Sequence, residues 1–219
     1  MKIRKPLLLC ILMCVIISTL SAHTINYQLE RVPIHNVIWY YIQLGYKHIL
    51  PDGFDHILFV AGLCLLSTRI KTLLWQATAF TVAHTITLML SMKNIIVVPP
   101  SIIEPIIALS IAFIAIENLI VADLKAWRIL IVFAFGLVHG MGFASALNEL
   151  GLPRNAFYTS LLSFNVGVEL GQATIIGLIY FGLIYWFGHK PWYRKFVVYP
   201  LSILIALIAL YWTVTRLMA

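Results

Sequence analysis

The sequence predicts an all-α fold, a polytopic bundle of six transmembrane helices that follows an N-terminal signal peptide. Of the 219 residues, 62% are hydrophobic and only 11% are charged, whereas a soluble domain carries about 25% charged residues. The mean hydropathy of +0.96 leaves too few polar side chains to cover a surface that faces water. This composition excludes a soluble globule, a disordered chain and a disulfide-rich scaffold.

Residues 1–22 have the pattern of a secretory signal peptide. Three basic residues among the first five precede an apolar run over 7–20, and small residues lie near a cleavage point after Ala22. An uncleaved first helix remains the alternative, because Leu20 stands where signal peptidases usually meet a small residue. Two of the three cysteines lie in this segment, so Cys64 alone remains in the mature chain and no intramolecular disulfide is expected.

Residues 23–52 are expected to lie outside the membrane, on its periplasmic or extracellular side, and to include a short amphipathic helix. Apolar side chains recur at helical spacing between Ile34 and Tyr46. The aromatic run Trp39, Tyr40 and Tyr41 is typical of a membrane–water interface. We therefore expect this helix to lie along the membrane surface.

Six apolar segments follow and make residues 53–217 the predicted transmembrane domain. They cover residues 53–68, 72–91, 102–121, 129–148, 157–187 and 196–217. A helix needs about 20 apolar residues to cross a hydrocarbon core of about 30 Å, and each segment is near or above that length. Short stretches rich in proline, glycine or charge separate them.

The basic residues predict the orientation of the bundle. Three alternate loops hold Arg69, Lys71, Lys125, Arg128, Lys190, Arg194 and Lys195. Lys and Arg concentrate in cytoplasmic loops, so we expect these loops inside and the mature N- and C-termini outside, in the inner membrane of a bacterium. The basic residues are scattered between apolar spans, so no nucleic-acid-binding face is expected, and the lipid bilayer is the predicted partner.

Ionisable side chains within the spans are the candidate functional residues, because a charge is costly in the membrane. The candidate metal ligands are Asp55, His56, His84, His139 and Glu169, and the candidate accessory groups are His48, Glu104, Glu117, Asn165 and Gln172. A rise of about 1.5 Å per residue places His84, His139 and Asn165 at similar depth, about 10–13 Å below the outer ends of their spans. Imidazole and carboxylate together suit a divalent nickel, cobalt, zinc or iron ion.

The sequence therefore predicts a metal path that opens to the outer face and is graded from Asp55 and His56 inward to Glu169. Two acids keep simpler alternatives. Glu104 precedes a proline at a helix start and could cap that helix, and Glu117 could pair with a basic residue such as Arg128.

Five strings of the sequence carry a family resemblance. They are GYKHILPDGFDHILFVAGLCLLS (45–67), LLWQATAFTVAHTITL (73–88), EPIIALSIAFIAIEN (104–118), GLVHGMGFASALNELGLP (136–153) and FNVGVELGQ (164–172). Together they resemble the HupE/UreJ family of hydrogenase- and urease-accessory membrane proteins, whose members are regarded as nickel or cobalt permeases.

The resemblance implies roles for particular residues. His48, Asp55 and His56 match the family's motif at the start of the first span. His84 and His139 match histidines of the second and fourth spans, and Glu169 matches the acid of the fifth. This chain has one more residue between His48 and Asp55 than the family's metal-permease form. The longer spacing makes the resemblance a weaker argument for His48 as a ligand of the same ion than for Asp55 and His56.

Two other functions stay open from the residues alone. Three histidines and an aspartate can hold Zn²⁺ with an open position for water, and Ser110, Ser145 or Ser163 could then assist a hydrolase that acts on a lipid-like substrate. His84 and His139 could instead ligate a haem. The sequence contains neither a His-Glu-x-x-His nor a Gly-x-Ser-x-Gly motif, and the permease is therefore favoured over an enzyme.

Overall fold

The computed structural model describes residues 26–122 and 124–219, which form an all-helical bundle. The predicted signal peptide at 1–22 lies outside the described residues. The long helices are α1 (Ile34–Ile49), α2 (Phe54–Leu66), α3 (Ile70–Met92), α4 (Pro100–Ile120), α5 (Arg128–Leu150), α6 (Phe157–Ile179) and α7 (Tyr199–Met218). A π-helical turn at Tyr180–Ile184 extends α6, and another at Arg194–Val198 precedes α7.

Five helical segments are long and apolar enough to cross a membrane. They are Ile70–Met92, Pro100–Ile120, Arg128–Leu150, Arg154–Phe187 and Arg194–Met218. The α1–α2 pair meets the same criterion only jointly, and it is bent by 69° at the break between the two helices. The described chain therefore holds five segments that are able to span a membrane, or six if the bent pair is one span, which confirms the predicted polytopic helical fold.

Helix α1 packs against α6 and runs beside it in the same direction. The buried face of α1 consists of Val37, Tyr41, Gly45 and Ile49. The Tyr41 hydroxyl donates a hydrogen bond to the carbonyl of Gly151, just before α6, at 2.9 Å, and Ile49 lies against Gly171 farther along α6. A bent pair of this kind is a broken span or a re-entrant hairpin. The packing of α1 along α6 does not agree with the predicted position of α1 on the membrane surface.

The backbones of α1 and α6 touch at a pair of glycines. A Cβ atom on Gly45 would collide with the carbonyl of Phe164, and one on Gly167 would collide with the carbonyl of Ile42. Glycine is required here because the helix axes lie too close for any side chain between them. The contact fixes the position of His48, which lies one turn after Gly45.

Helices α3 and α5 approach each other in the same way. A Cβ atom on Gly136 would meet the carbonyl of Phe80, and one on Gly140 would meet the carbonyl of His84. This close approach brings the histidine of α3 next to the helix that carries His139. The third well-packed pair is α4 with α7, and α2 lies among α3, α4, α6 and α7.

The loops sort the bundle into two ends, and arginines hold one of them together. At this basic end, which carries the seven Lys and Arg residues of the alternate loops, fully buried Arg128 lies 3.2 Å from Glu117. Arg194 donates hydrogen bonds to the carbonyls of Val121 at 2.6 Å and Ala122 at 3.0 Å, beyond the end of α4. The C-terminus lies at the opposite end.

Candidate metal centre

Three histidines from three helices meet inside the bundle. One ring nitrogen from each of His48, His56 and His84 lies within 4.8 Å of the other two. His139 on α5 adjoins them, and its ring centroid is 5.2 Å from that of His56. His56, His84 and His139 are 6%, 0% and 2% exposed. The bend between α1 and α2 brings the first two rings together, since it folds His48 back toward His56.

Hydrogen bonds hold two of these rings in a defined orientation. The side-chain amide of Asn165 donates to the Leu161 carbonyl at 2.8 Å, which turns its Oδ1 atom toward His84. Nδ1 of His84 then donates to that oxygen at 3.1 Å, and Nδ1 of His139 donates to the Phe135 carbonyl at 2.9 Å. A neutral imidazole carries one proton, so Nε2 of both rings carries a free lone pair.

The Nε2 atoms of the four histidines have no hydrogen-bond partner within the part of the chain that the structure describes. All four atoms are buried: those of His48, His56, His84 and His139. Buried polar atoms are nearly always paired, so four unpaired nitrogens close together call for a ligand. Histidine that binds a metal typically donates its other N–H to a carbonyl or carboxylate, which is the arrangement of His84 and His139. The cluster therefore fits a divalent transition metal ion.

Phenylalanine rings pack against the histidines of the cluster. The rings of His48 and Phe143 are stacked at a tilt, 3.8 Å apart, and Phe164 stacks on Phe143 at 5.0 Å. On the other side, Phe80 lies 4.9 Å from His139, and Phe59 packs on Phe80 at 4.9 Å. An electrostatic interaction in such an apolar setting is stronger than in water.

A cavity of about 430 Å³ leads from the surface to the cluster, at the end of the bundle opposite the basic end. Its polar and charged lining consists of His48, Asp52, Asp55, His56, Glu104, His139 and Arg216. The cavity lies beside the predicted outer start of α2. It thus reaches histidines of the centre from the side where the sequence predicts the path to open.

Asp55 and Glu169 do not belong to the three-histidine group that the structure describes. Asp55 is paired with Arg216, whose Nη2 atom is 3.0 Å from both carboxylate oxygens. Glu169 accepts a hydrogen bond from Thr78 at 2.6 Å. Each acid therefore has a protein partner of its own.

A row of polar pairs joins α3 to α6 between the histidines and the basic end. His84 bonds to Asn165 at 3.1 Å, Thr81 donates to Gln172 at 3.1 Å, and Thr78 donates to Glu169 at 2.6 Å. His84 and Thr78 are six positions apart on α3, a rise of about 9 Å. Glu169 is thus the next carboxylate inward from the cluster.

The remaining two acids lie at opposite ends. Glu104 lines the cavity, and Glu117 pairs with Arg128 at the basic end, as the simpler alternative for that residue predicts. The sequence predicts His48 only as an accessory group, whereas the structure places it in the three-histidine group. The signal for it is the motif of the string 45–67, which contains His48 together with His56. The pairing of Arg216 with Asp55 has no local sequence signal, because 161 positions separate them.

The chain also matches a known protein family. The chain matches the family model described as HupE / UreJ protein over residues 23–216. Comparison with curated proteins and with solved structures gives no match. The matched range includes α1 to α7 except the last two residues of α7, and it contains all four histidines of the cluster. The chain belongs to the HupE/UreJ family.

Proposed function

We propose that the protein is a permease for a divalent transition metal ion, with Ni²⁺ or Co²⁺ as the cargo, in the inner membrane of a bacterium. The observation that carries the proposal is the convergence of His48, His56 and His84, whose ring nitrogens lie within 4.8 Å. The family's accessory role in nickel-dependent systems favours these two metals. Their preference for imidazole nitrogen is consistent with the ligand set.

The surroundings of the cluster support transport rather than storage of the ion. The cavity reaches His56 and His139 from one end of the bundle, and the row of polar pairs continues from His84 to Glu169 on the other side. A permeation path needs several sites of moderate strength, because one very tight site would not release its ion. Cavity, cluster and polar row form such a series.

Nickel uptake by intact cells tests the proposal. Cells that produce the wild type should accumulate radioactive nickel, whereas the His84→Ala variant should lose saturable uptake because a central ligand is missing. His35→Ala, which removes an exposed histidine, is the matched control and should transport normally. Equal uptake by His84→Ala and wild type, at equal amounts of protein in the membrane, would overturn the proposal.

An intramembrane zinc hydrolase is the second candidate, and one observation favours it. Three imidazoles beside a cavity of about 430 Å³ resemble a catalytic zinc site, in which three protein ligands leave one position for water. The cavity lining includes carboxylates but, among the described lining residues, none of Ser110, Ser145 and Ser163. One tightly bound zinc per chain, with no metal flux in liposomes, would favour the hydrolase over the permease.

A further inference from the structure

Arg216, near the C-terminal end of α7, lies in the mouth of the cavity and connects three helices. Its Nη2 atom contacts both oxygens of Asp55 on α2 at 3.0 Å. Its Nη1 atom donates to the carbonyl of Glu104 on α4 at 3.2 Å. The guanidinium also lies over the ring of Trp212, 5.3 Å from its centroid. Arg216 is therefore held at the entrance by contacts on three sides.

The charges at this entrance are unequal. The described lining includes three carboxylates, those of Asp52, Asp55 and Glu104, and a single guanidinium, that of Arg216. The mouth therefore attracts cations overall, while the guanidinium repels them at one point. Asp55 immediately precedes His56 in α2, so the carboxylate held by Arg216 is the one nearest in sequence to the metal centre.

The pair between Arg216 and Asp55 is accessible enough to open. The two side chains are 24% and 26% exposed, and ion pairs that remain in contact with water are weakly held. The ring of Trp212, over which the guanidinium already lies, can hold it at the mouth after it leaves Asp55. A divalent cation attracts Asp55 more strongly than a guanidinium of single charge does.

We propose that Arg216 is a displaceable gate that selects for divalent charge at the cavity mouth. In the closed state the guanidinium is paired with the Asp55 carboxylate and repels cations that approach His56. A dication opens the gate because it takes over the Asp55 carboxylate and releases Arg216, whereas a monovalent cation gains too little to do so. This inference rests on the proposed metal permease and adds a specificity-determining residue to it.

Cobalt binding to the purified full-length protein in detergent tests the gate. Co²⁺ is the probe, because its visible absorption reports imidazole coordination. The Arg216→Gln variant should bind Co²⁺ about tenfold more tightly than the wild type, since a positive charge near the ion has been removed. Arg216→Lys keeps the charge and should restore the wild-type affinity. The matched control is Arg154→Gln, which removes an exposed arginine of the α5–α6 loop and should leave binding unchanged.

A second variant keeps the test decisive if Arg216→Gln fails to fold. Asp55→Asn removes the carboxylate that the ion binds when Arg216 is displaced. The Co²⁺ affinity of this variant should fall about tenfold. Wild-type Co²⁺ affinity in either Arg216→Gln or Asp55→Asn overturns the gate. The His84→Ala variant then shows whether the gate alone has failed or the proposed metal centre as well. Loss of Co²⁺ binding in His84→Ala supports the metal centre even if the gate has failed. Absence of Co²⁺ binding by the wild type overturns both the permease and the gate.

Discussion

Asn165 determines which nitrogen of His84 faces the other histidines. Its amide is oriented by the Leu161 carbonyl, so its oxygen accepts the Nδ1 proton of His84. Without that acceptor, the imidazole could carry its proton on Nε2, where a metal needs a lone pair. In the proposed metal centre, Asn165 would therefore act on metal binding through the tautomer of His84 rather than as a ligand itself.

We expect Asn165→Leu to lower the Co²⁺ affinity of the purified protein by about 10–100-fold, the usual effect of losing a group that orients a ligand. Asn165→Asp keeps the acceptor and should retain most of the affinity. Asn148→Leu is the control, because this asparagine lies on α5 beside a separate small cavity. Equal cobalt affinities for Asn165→Leu and wild type would show that the tautomer of His84 does not limit binding.

Individual residues show where sequence reasoning succeeds and where it ends. Ionisable residues in apolar spans are costly, and this rule alone selects His56, His84 and His139, which the structure brings together. The same rule gives no partners. It groups Asp55 and Glu169 with the histidines, whereas their nearest partners are Arg216 and Thr78 on other helices. Those contacts depend on tertiary packing.

At the level of helices, the sequence predicts existence better than arrangement. Hydropathy locates the spans that the structure shows as α3 to α7, because their apolar runs are long. It gives no indication that α1 lies against α6. That contact depends on Gly45 and Gly167, which are far apart in the chain and form no local pattern.

The glycine contact should tolerate no methyl group. Gly167→Ala would force the backbones of α1 and α6 apart, at a cost of about 1–3 kcal/mol in stability, and should also displace His48. Gly177→Ala on the same helix is the matched control, since nothing lies within 4 Å of the added methyl group. Thermal unfolding in detergent measures both variants. Equal midpoints for the two would mean that the α1–α6 contact is looser than described.

The whole molecule separates charge between its ends. Carboxylates line the cavity at one end, whereas Arg128 and Arg194 bind backbone and acidic groups at the other. The positive-inside rule predicts that the basic end faces the cytoplasm, so the cavity would open outward. The chain order of the helices supports only their alternation between ends, and the orientation stays a prediction.

Labelling of single cysteines in intact cells tests this orientation. A cysteine at Asn155, in the loop before α6, should react with a membrane-impermeant maleimide, whereas a cysteine at His189 should react only after the cells are lysed. Both sites are exposed, and Cys64 is buried, so with Cys10 and Cys14 replaced by serine the background should be low. The reverse pattern of labelling would invert the proposed path.

In the proposed permease, the phenylalanines around the histidines would affect which ions can pass. Phe59, Phe80, Phe143 and Phe164 pack on the imidazole rings and offer a hydrated ion no hydrogen bonds in place of those it makes in water. An ion bound by these nitrogens would therefore have to give up water ligands. Mg²⁺ and Ca²⁺ prefer oxygen ligands, and Mg²⁺ gives up its water reluctantly. For nickel and cobalt, binding to imidazole nitrogen compensates for the loss of water ligands. The aromatic rings bind no ion themselves. They would exclude hard cations such as Mg²⁺ and Ca²⁺ because they cannot form hydrogen bonds with the water molecules that these ions retain.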